Sequence, residues 1–243
     1  MTRLAHVWIL LALGALLVTA CGGAAQGSAS PAAPEQVAAG APYRLGAILS
    51  ITGPAASLGI PERDTLLMLV EQANTLGGIA GPDGAMHPLE LSIIDDKSVE
   101  PEAVLAARKL VEEGVLAIIG PSQTGTSLAV APIAAEAKIP LISLGASSKI
   151  VEPVAERAWV FKTTQNDRLM IDVLMQELHY RGLTDVAFLS VNNAFGDSGR
   201  QEFVRAAQAS DVRVLVDDRY GAEDTDMSSQ LTRIKASGAQ ALI

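Results

Sequence analysis

From Tyr43 to its last residue the chain alternates short apolar runs with longer segments of helical spacing, and few folds accommodate that rhythm. Residues 44–50 read as a strand that ends in the turn Thr52-Gly53-Pro54. Residues 61–76 read as a helix. Pro61 suits its first turn, Glu62 and Asp64 suit its positive end, and Leu66, Leu69, Val70 and Ala73 make an apolar stripe. Gly77-Gly78 stops it. The cycle recurs as strand 89–94, helix 101–113, strand 116–119, helix 126–137, strand 139–142 and strand 159–163. Strands separated by helices of this length need crossover connections, which build a mainly parallel sheet with helices on both faces.

A second series follows a polar break at 163–168: helix 169–180, strand 185–190, helix 199–209, strand 212–216, helix 227–237 and a strand begun at Ala239. The break holds no long linker. It predicts a hinge-like crossover between two lobes, 43–163 and 164–243, with one continuous sheet as the competing reading. Gln240-Ala241-Leu242-Ile243 starts an apolar strand with no helix or polar tail after it. That pattern predicts an incomplete second lobe whose C-terminal part is missing.

Ahead of this body, Val7 to Val18 is an apolar run of 12 residues behind Arg3. It is short against the roughly 20 residues that span a hydrocarbon core, and it fits the h-region of a secretory signal. Cys21 is the single cysteine, so no disulfide forms within the chain. Val18-Thr19-Ala20-Cys21 resembles the lipobox of bacterial lipoproteins. The resemblance implies a signal peptide at 1–21 and a lipid-carrying Cys21; secretion with a free thiol and a retained anchor helix are the alternatives. Residues 22–42 are rich in Gly, Ala, Ser and Pro, carry only Glu35 as a charge, and read as a flexible tether.

The whole chain has a formal charge of −9, and loss of Arg3 with the signal makes the mature part more acidic still. With no basic cluster to contact phosphates, nucleic acid is excluded as a partner. Of the three histidines, His6 leaves with the signal, His87 falls in an expected turn and His179 in an expected helix. No Cys-x-x-Cys pair accompanies them, so no metal is expected. Glu223-Asp224-Thr225-Asp226 lacks the spacing and closing glutamate of a calcium loop. No Gly-x-Gly-x-x-Gly follows the first strand, and residues 120–126 lack the Gly-Lys-Ser/Thr ending of a phosphate loop. No nucleotide or other cofactor is expected. Asp95-Asp96 reads either as an acid–base pair or as a turn that fixes neighbouring loops. With no Gly-x-Ser-x-Gly elbow either, the chain reads as a binding protein and not an enzyme.

In open parallel sheets ligands bind beyond the carboxyl ends of the strands. Residues 50–59, 120–126 and 143–148 occupy that position. The second loop combines hydroxyls with free N–H groups at a helix start, which suits a carboxylate; equally, Thr124 or Thr126 merely caps the helix.

Thr52-Gly53-Pro54, Gly77-Gly78-Ile79, Asp95-Asp96, residues 115–127, Ala131-Pro132-Ile133-Ala134, Pro140-Leu141-Ile142-Ser143, residues 192–196 and Thr225-Asp226-Met227 occur here in one order. Residues 43–243 thereby resemble the branched-chain amino acid (Leu/Ile/Val) binding proteins of ABC transporters. The resemblance implies a two-lobed α/β fold of the type I periplasmic-binding kind, each lobe a parallel sheet with helices on both faces. It implies that the Thr124 hydroxyl holds a solute carboxylate. Gly145, Ala146 and Ser147 take the ammonium and carboxylate ends, and Phe195 closes over the solute. Leu58 stands where these proteins often carry an aromatic residue, and the acid that pairs with the ammonium group lies beyond Ile243. The implied protein is a monomer outside the cytoplasmic membrane, lipid-anchored, capturing a small solute for an ABC permease. A ligand-sensing module for an amide, urea-like or aromatic-acid solute is the alternative.

Overall fold

The structure is a computed structural model that describes residues 39–243. The signal-peptide reading, Cys21 and most of the expected tether lie outside the described residues. In chain order the first part runs β1 (Tyr43–Leu49), α1 (Ala56–Thr75), β2 (Ile79–Ala80), β3 (Met86–His87), β4 (Leu89–Asp95), α2 (Glu100–Glu112), β5 (Ile118–Ile119), α3 (Thr124–Ala137), β6 (Leu141–Ser143) and β7 (Val160–Lys162). The second runs α4 (Asp167–Arg181), β8 (Asp185–Val191), α5 (Ala194–Gln208), β9 (Arg213–Tyr220), α6 (Ser228–Ala236) and β10 (Ala241–Leu242).

The strands form two separate parallel sheets, ordered β4-β1-β5-β6-β7 and β10-β8-β9, plus the small antiparallel pair β2-β3. The fold is therefore α/β with parallel sheets flanked by helices, and the single continuous sheet is excluded. The connection from β1 to β4 steps one way, whereas those from β4 to β5 and β5 to β6 step the other. Right-handed crossovers then set α1 on one face and α2 with α3 on the opposite face.

On that second face, α2 turns Ala103, Ala106, Ala107 and Leu110 inward at helical spacing. They meet Val130, Ala131 and Ala134 of α3 and Ile48, Ile118 and Leu141 of the sheet in one buried core. Small alanines on both helices let the backbones approach closely, so the face closes without bulky side chains. The second sheet has its own core, where Phe188 and Phe203 stack with ring centroids 4.3 Å apart among Ile171, Leu178 and Val186.

Several boundaries differ from the sequence expectation. Helix α1 starts at Ala56, five residues before Pro61, so the proline lies inside the helix. Helix α5 starts at Ala194 because the Asn193 side chain accepts the Gly196 N–H at 3.0 Å and caps it. That places Phe195 in a helical first turn. His87, expected in a turn, instead lies in the β2-β3 pair and is buried there.

Candidate functional site

Both sheets direct their strand ends at one cleft of about 610 Å³, within the range of roughly 300–1,000 Å³ usual for small-molecule sites. From the first part it is lined by Leu58, Ser122, Thr124, Gly145 and Ala146, and from the second by Val191, Asn193, Phe195 and Tyr220. Glu100, Thr124 and Ala194, the first residues of α2, α3 and α5, all lie in its lining. Each helix start carries N–H groups without an intrahelical partner and the positive end of a dipole. No side chain caps α2 or α3.

The loop before α3 is held from behind. Gly120 has φ +95°, and a β-carbon there would sit 2.0 Å from the Ile48 carbonyl oxygen, so the backbone passes this point only as glycine. The Ser122 hydroxyl accepts the Ser50 N–H at 3.0 Å and donates to the Glu62 carboxylate of α1. Burial pushes Glu62 above its ordinary value; the Ser122 hydrogen bond offsets part of this, and the Asp96 charge adds to it.

Asp95 and Asp96 have diverged in role. Asp95 accepts the N–H groups of Ile51 (2.9 Å), Thr52 (3.1 Å) and Lys97 (2.8 Å) and the Thr52 hydroxyl (2.6 Å). Burial alone would raise its carboxyl, yet these hydrogen bonds outweigh burial and hold it below the usual value. Asp96 is fully buried, and burial pushes it up against the pull of Ser50, Ser98 and Thr126. Its Oδ2 has no hydrogen-bond partner among the described residues. Neither carboxylate lines the cleft, so the pair serves the loops around it.

Of the six residues singled out from the sequence, Leu58, Thr124, Gly145, Ala146 and Phe195 line the cleft and Ser147 does not. Ser147 is fully buried, its hydroxyl 2.6 Å from the Ser198 hydroxyl of α5. Ser198 in turn donates to Asp167, whose other oxygen accepts the Ser148 N–H at 3.2 Å. This chain of polar groups joins the loop after β6 to helices α4 and α5. Thr124 is nearly buried, and its Oγ1 accepts the Ser147 N–H at 3.4 Å. The Gly145 carbonyl accepts the Thr164 hydroxyl at 2.8 Å, and the Ala146 carbonyl accepts the Lys162 ammonium at 2.9 Å. Burial pushes that ammonium below its ordinary value, and the Asp167 charge offsets part of it.

Sequence reading missed Glu100, Asn193 and Tyr220. Tyr220 closes β9 and lay within reach of the strand-end rule, had the strand been extended past Val216. Glu100 had no local signal, because a first-turn glutamate is ordinary.

A two-part α/β chain whose strand ends share one cleft defines the class of two-lobed binding proteins. Residues 42–243 match the family model described as Periplasmic binding protein, and the chain belongs to that family. The Leu/Ile/Val-binding protein BraC3 of Rhizobium johnstonii is 26% identical over 196 residues, 79% of this chain and 51% of that protein. A leucine-, isoleucine-, valine-, threonine- and alanine-binding protein of Pseudomonas aeruginosa is 25% identical over 192 residues, 78% of this chain and 50% of that protein. The chain spans about half the length of the curated relatives it matches.

Among solved structures, an extracellular ligand-binding receptor from Rhodopseudomonas palustris HaA2 has a TM-score of 0.73 at 28% identity, over 84% of this chain and 54% of that one. Two others share the fold. One is the branched-chain amino acid transporter substrate-binding protein LivJ from Streptococcus pneumoniae in complex with isoleucine (TM-score 0.70, 23% identity, 83% of this chain and 56% of that one). The other is an ABC-transporter solute-binding protein from Rhodopseudomonas palustris HaA2 in complex with p-hydroxybenzoic acid (TM-score 0.72, 24% identity, 84% and 53%).

Proposed function

We propose that this chain is the capturing body of an extracytoplasmic solute-binding protein. It takes a small carboxylate-bearing solute, of the branched-chain amino acid type, between lobes 43–163 and 164–243 and delivers it to an ABC permease. The observation that carries this reading is the convergence of strand ends from both sheets, with three helix starts, on one cleft. The solute carboxylate sits at the free N–H groups of α3 beside Thr124, with Gly145, Ala146 and Ser147 forming and backing the adjoining loop. Leu58 and Phe195, both half exposed, cover the apolar part of the solute. A solute gripped from both sides favours the closed form, a population shift driven by its higher affinity for that form. No bond in the solute changes. Cys21 carries the lipid that keeps this monomer near its permease, two acyl chains or more being needed for stable anchoring.

The relatives named for leucine, isoleucine and valine support the amino-acid reading. A second reading, a module for an aromatic acid, is favoured by Phe195 and Tyr220 in the lining. Thermal unfolding of the full-length protein with isoleucine, small amides and p-hydroxybenzoate separates them, because a specific ligand raises the midpoint by mass action. Thr124→Ala is expected to weaken a carboxylate ligand about tenfold or more. Unchanged affinity by calorimetry removes Thr124 from the site. No midpoint shift with any of these solutes overturns the proposed function.

A further inference from the structure

Two carboxyl groups that no cation balances lie behind the loop leading into α3. Ser122 of that loop lines the cleft, yet its hydroxyl is committed to the rear, between the Ser50 N–H and the Glu62 carboxylate. Helix α1 is pressed onto the same point. A β-carbon on Gly59, one turn before Glu62 on the same helix face, would sit 2.2 Å from the Ser50 carbonyl oxygen. Asp96 completes the cluster. One of its oxygens accepts the Ser98 N–H at 2.9 Å, and the other is buried with no partner among the described residues.

The charges nearby do not neutralise the pair. Arg63 is engaged by Asp64 at 2.7 Å and Lys97 by Glu102 at 3.4 Å. The first turn of α3 carries no titratable side chain, and Asp95 and Glu100 add only negative charge on this side. Burial raises both carboxyls; the Asp96 charge raises Glu62 further, and the Asp95 charge does the same to Asp96. Asp96 is fully buried, whereas Glu62 is partly exposed and can exchange a proton with water. A solute carboxylate at the start of α3 would bring one more negative charge up to this pair, with Ser122 between it and Glu62.

We propose that Glu62, in its pairing with Asp96, takes up a proton when a solute anion enters the cleft, so that capture tightens as pH falls. The inference rests on the solute-binding function proposed above and adds its regulation. Glu62 is a positioning residue here: it acts through Ser122 and the loop, and does not touch the solute. The sign follows from linkage. Below the value for the free form Glu62 is protonated with or without solute, and affinity is highest. Above the value for the bound form it is ionised in both, and affinity is lowest; uptake falls between. Each unit by which the solute raises Glu62 is about a tenfold change in affinity across that window.

The test is calorimetry on the full-length protein with isoleucine and with p-hydroxybenzoate, each in two buffers of one pH and different ionisation enthalpy. The difference in heat counts the protons exchanged. Wild type is expected to take up a fraction of a proton per solute at mildly acidic pH and none at mildly alkaline pH. Its affinity should fall about threefold or more between the two. Glu62→Gln keeps an acceptor for the Ser122 hydroxyl and cannot titrate. It should abolish the uptake and flatten the dependence of affinity on pH. Binding by wild type without proton exchange overturns the inference while the solute-binding function stands. Uptake that Glu62→Gln leaves unchanged, or a loss of affinity in that variant that is equal at every pH, does the same. Failure of wild type to bind either solute, or any solute in the thermal series, overturns both.

Discussion

His87 shows at the residue scale how much one side chain can settle. Its Nδ1 lies 2.6 Å from the Ala41 carbonyl oxygen and its Nε2 lies 3.0 Å from the Asp83 carboxylate, so both ring nitrogens face acceptors. Only the doubly protonated ring can donate to both. The Asp83 hydrogen bond first, then the Ala41 carbonyl, raise the imidazole above its ordinary value of 6.5, with burial opposing them. Tyr43 stacks on the ring with centroids 4.2 Å apart. A histidine whose folded pKa is raised stabilises the fold fully below its unfolded pKa, and that contribution is lost as pH rises through the higher folded value. Wild type should therefore lose urea resistance between mildly acidic and mildly alkaline pH. His87→Gln should flatten that part of the profile; an unchanged slope would show that the ring is neutral.

Helix α2 is the element in which sequence pattern and packing agree most closely. Its Ala103, Ala106, Ala107 and Leu110 are all buried, the glutamates at its start meet the positive end of the dipole, and Lys109 sits in its last turn. Leu110→Ala should cost about 2–5 kcal/mol, read from the urea midpoint at constant slope. The contrast is α1, where Gly59 alone is buried and Leu67, Met68 and Leu69 are each about half exposed. Its apolar residues were legible as a stripe, yet what a stripe packs against is not a property of the helix. Strand β9 carries a similar lesson. Its register shifts against β8 between Val186 and Ala187, leaving Leu215 as the extra residue, while the charged run Asp217-Asp218-Arg219 after Val216 hid the strand's extension to Tyr220.

Across the whole molecule, the contact between the two sheet units is polar where it is deepest. Ser147, Ser198 and Asp167 are all buried, and together they tie the loop after β6 to α4 and α5. Ser198→Ala removes one hydrogen bond across the junction and leaves the Asp167 oxygen short of a donor, a loss of about 1–3 kcal/mol. The ligand-free variant is expected to have a larger radius of gyration by small-angle scattering, with unchanged helix content. An identical scattering curve would show that the contact does not hold the two parts together.

The chain's own pattern determined the alternation of strands and helices, the separation into two series and the strand-end loops at which a ligand could meet them. These follow from local periodicity and from the fixed hand of crossovers, which any sequence with this rhythm obeys. Five of the six residues that the family resemblance singled out line the cleft. Only the tertiary structure decided that Ser147 turns inward to Ser198, that Asp95 fixes loops while Asp96 stays buried, and that Ser122 joins the cleft loop to Glu62. Each depends on which groups from distant segments arrive within hydrogen-bond distance, and no local pattern in the chain records that.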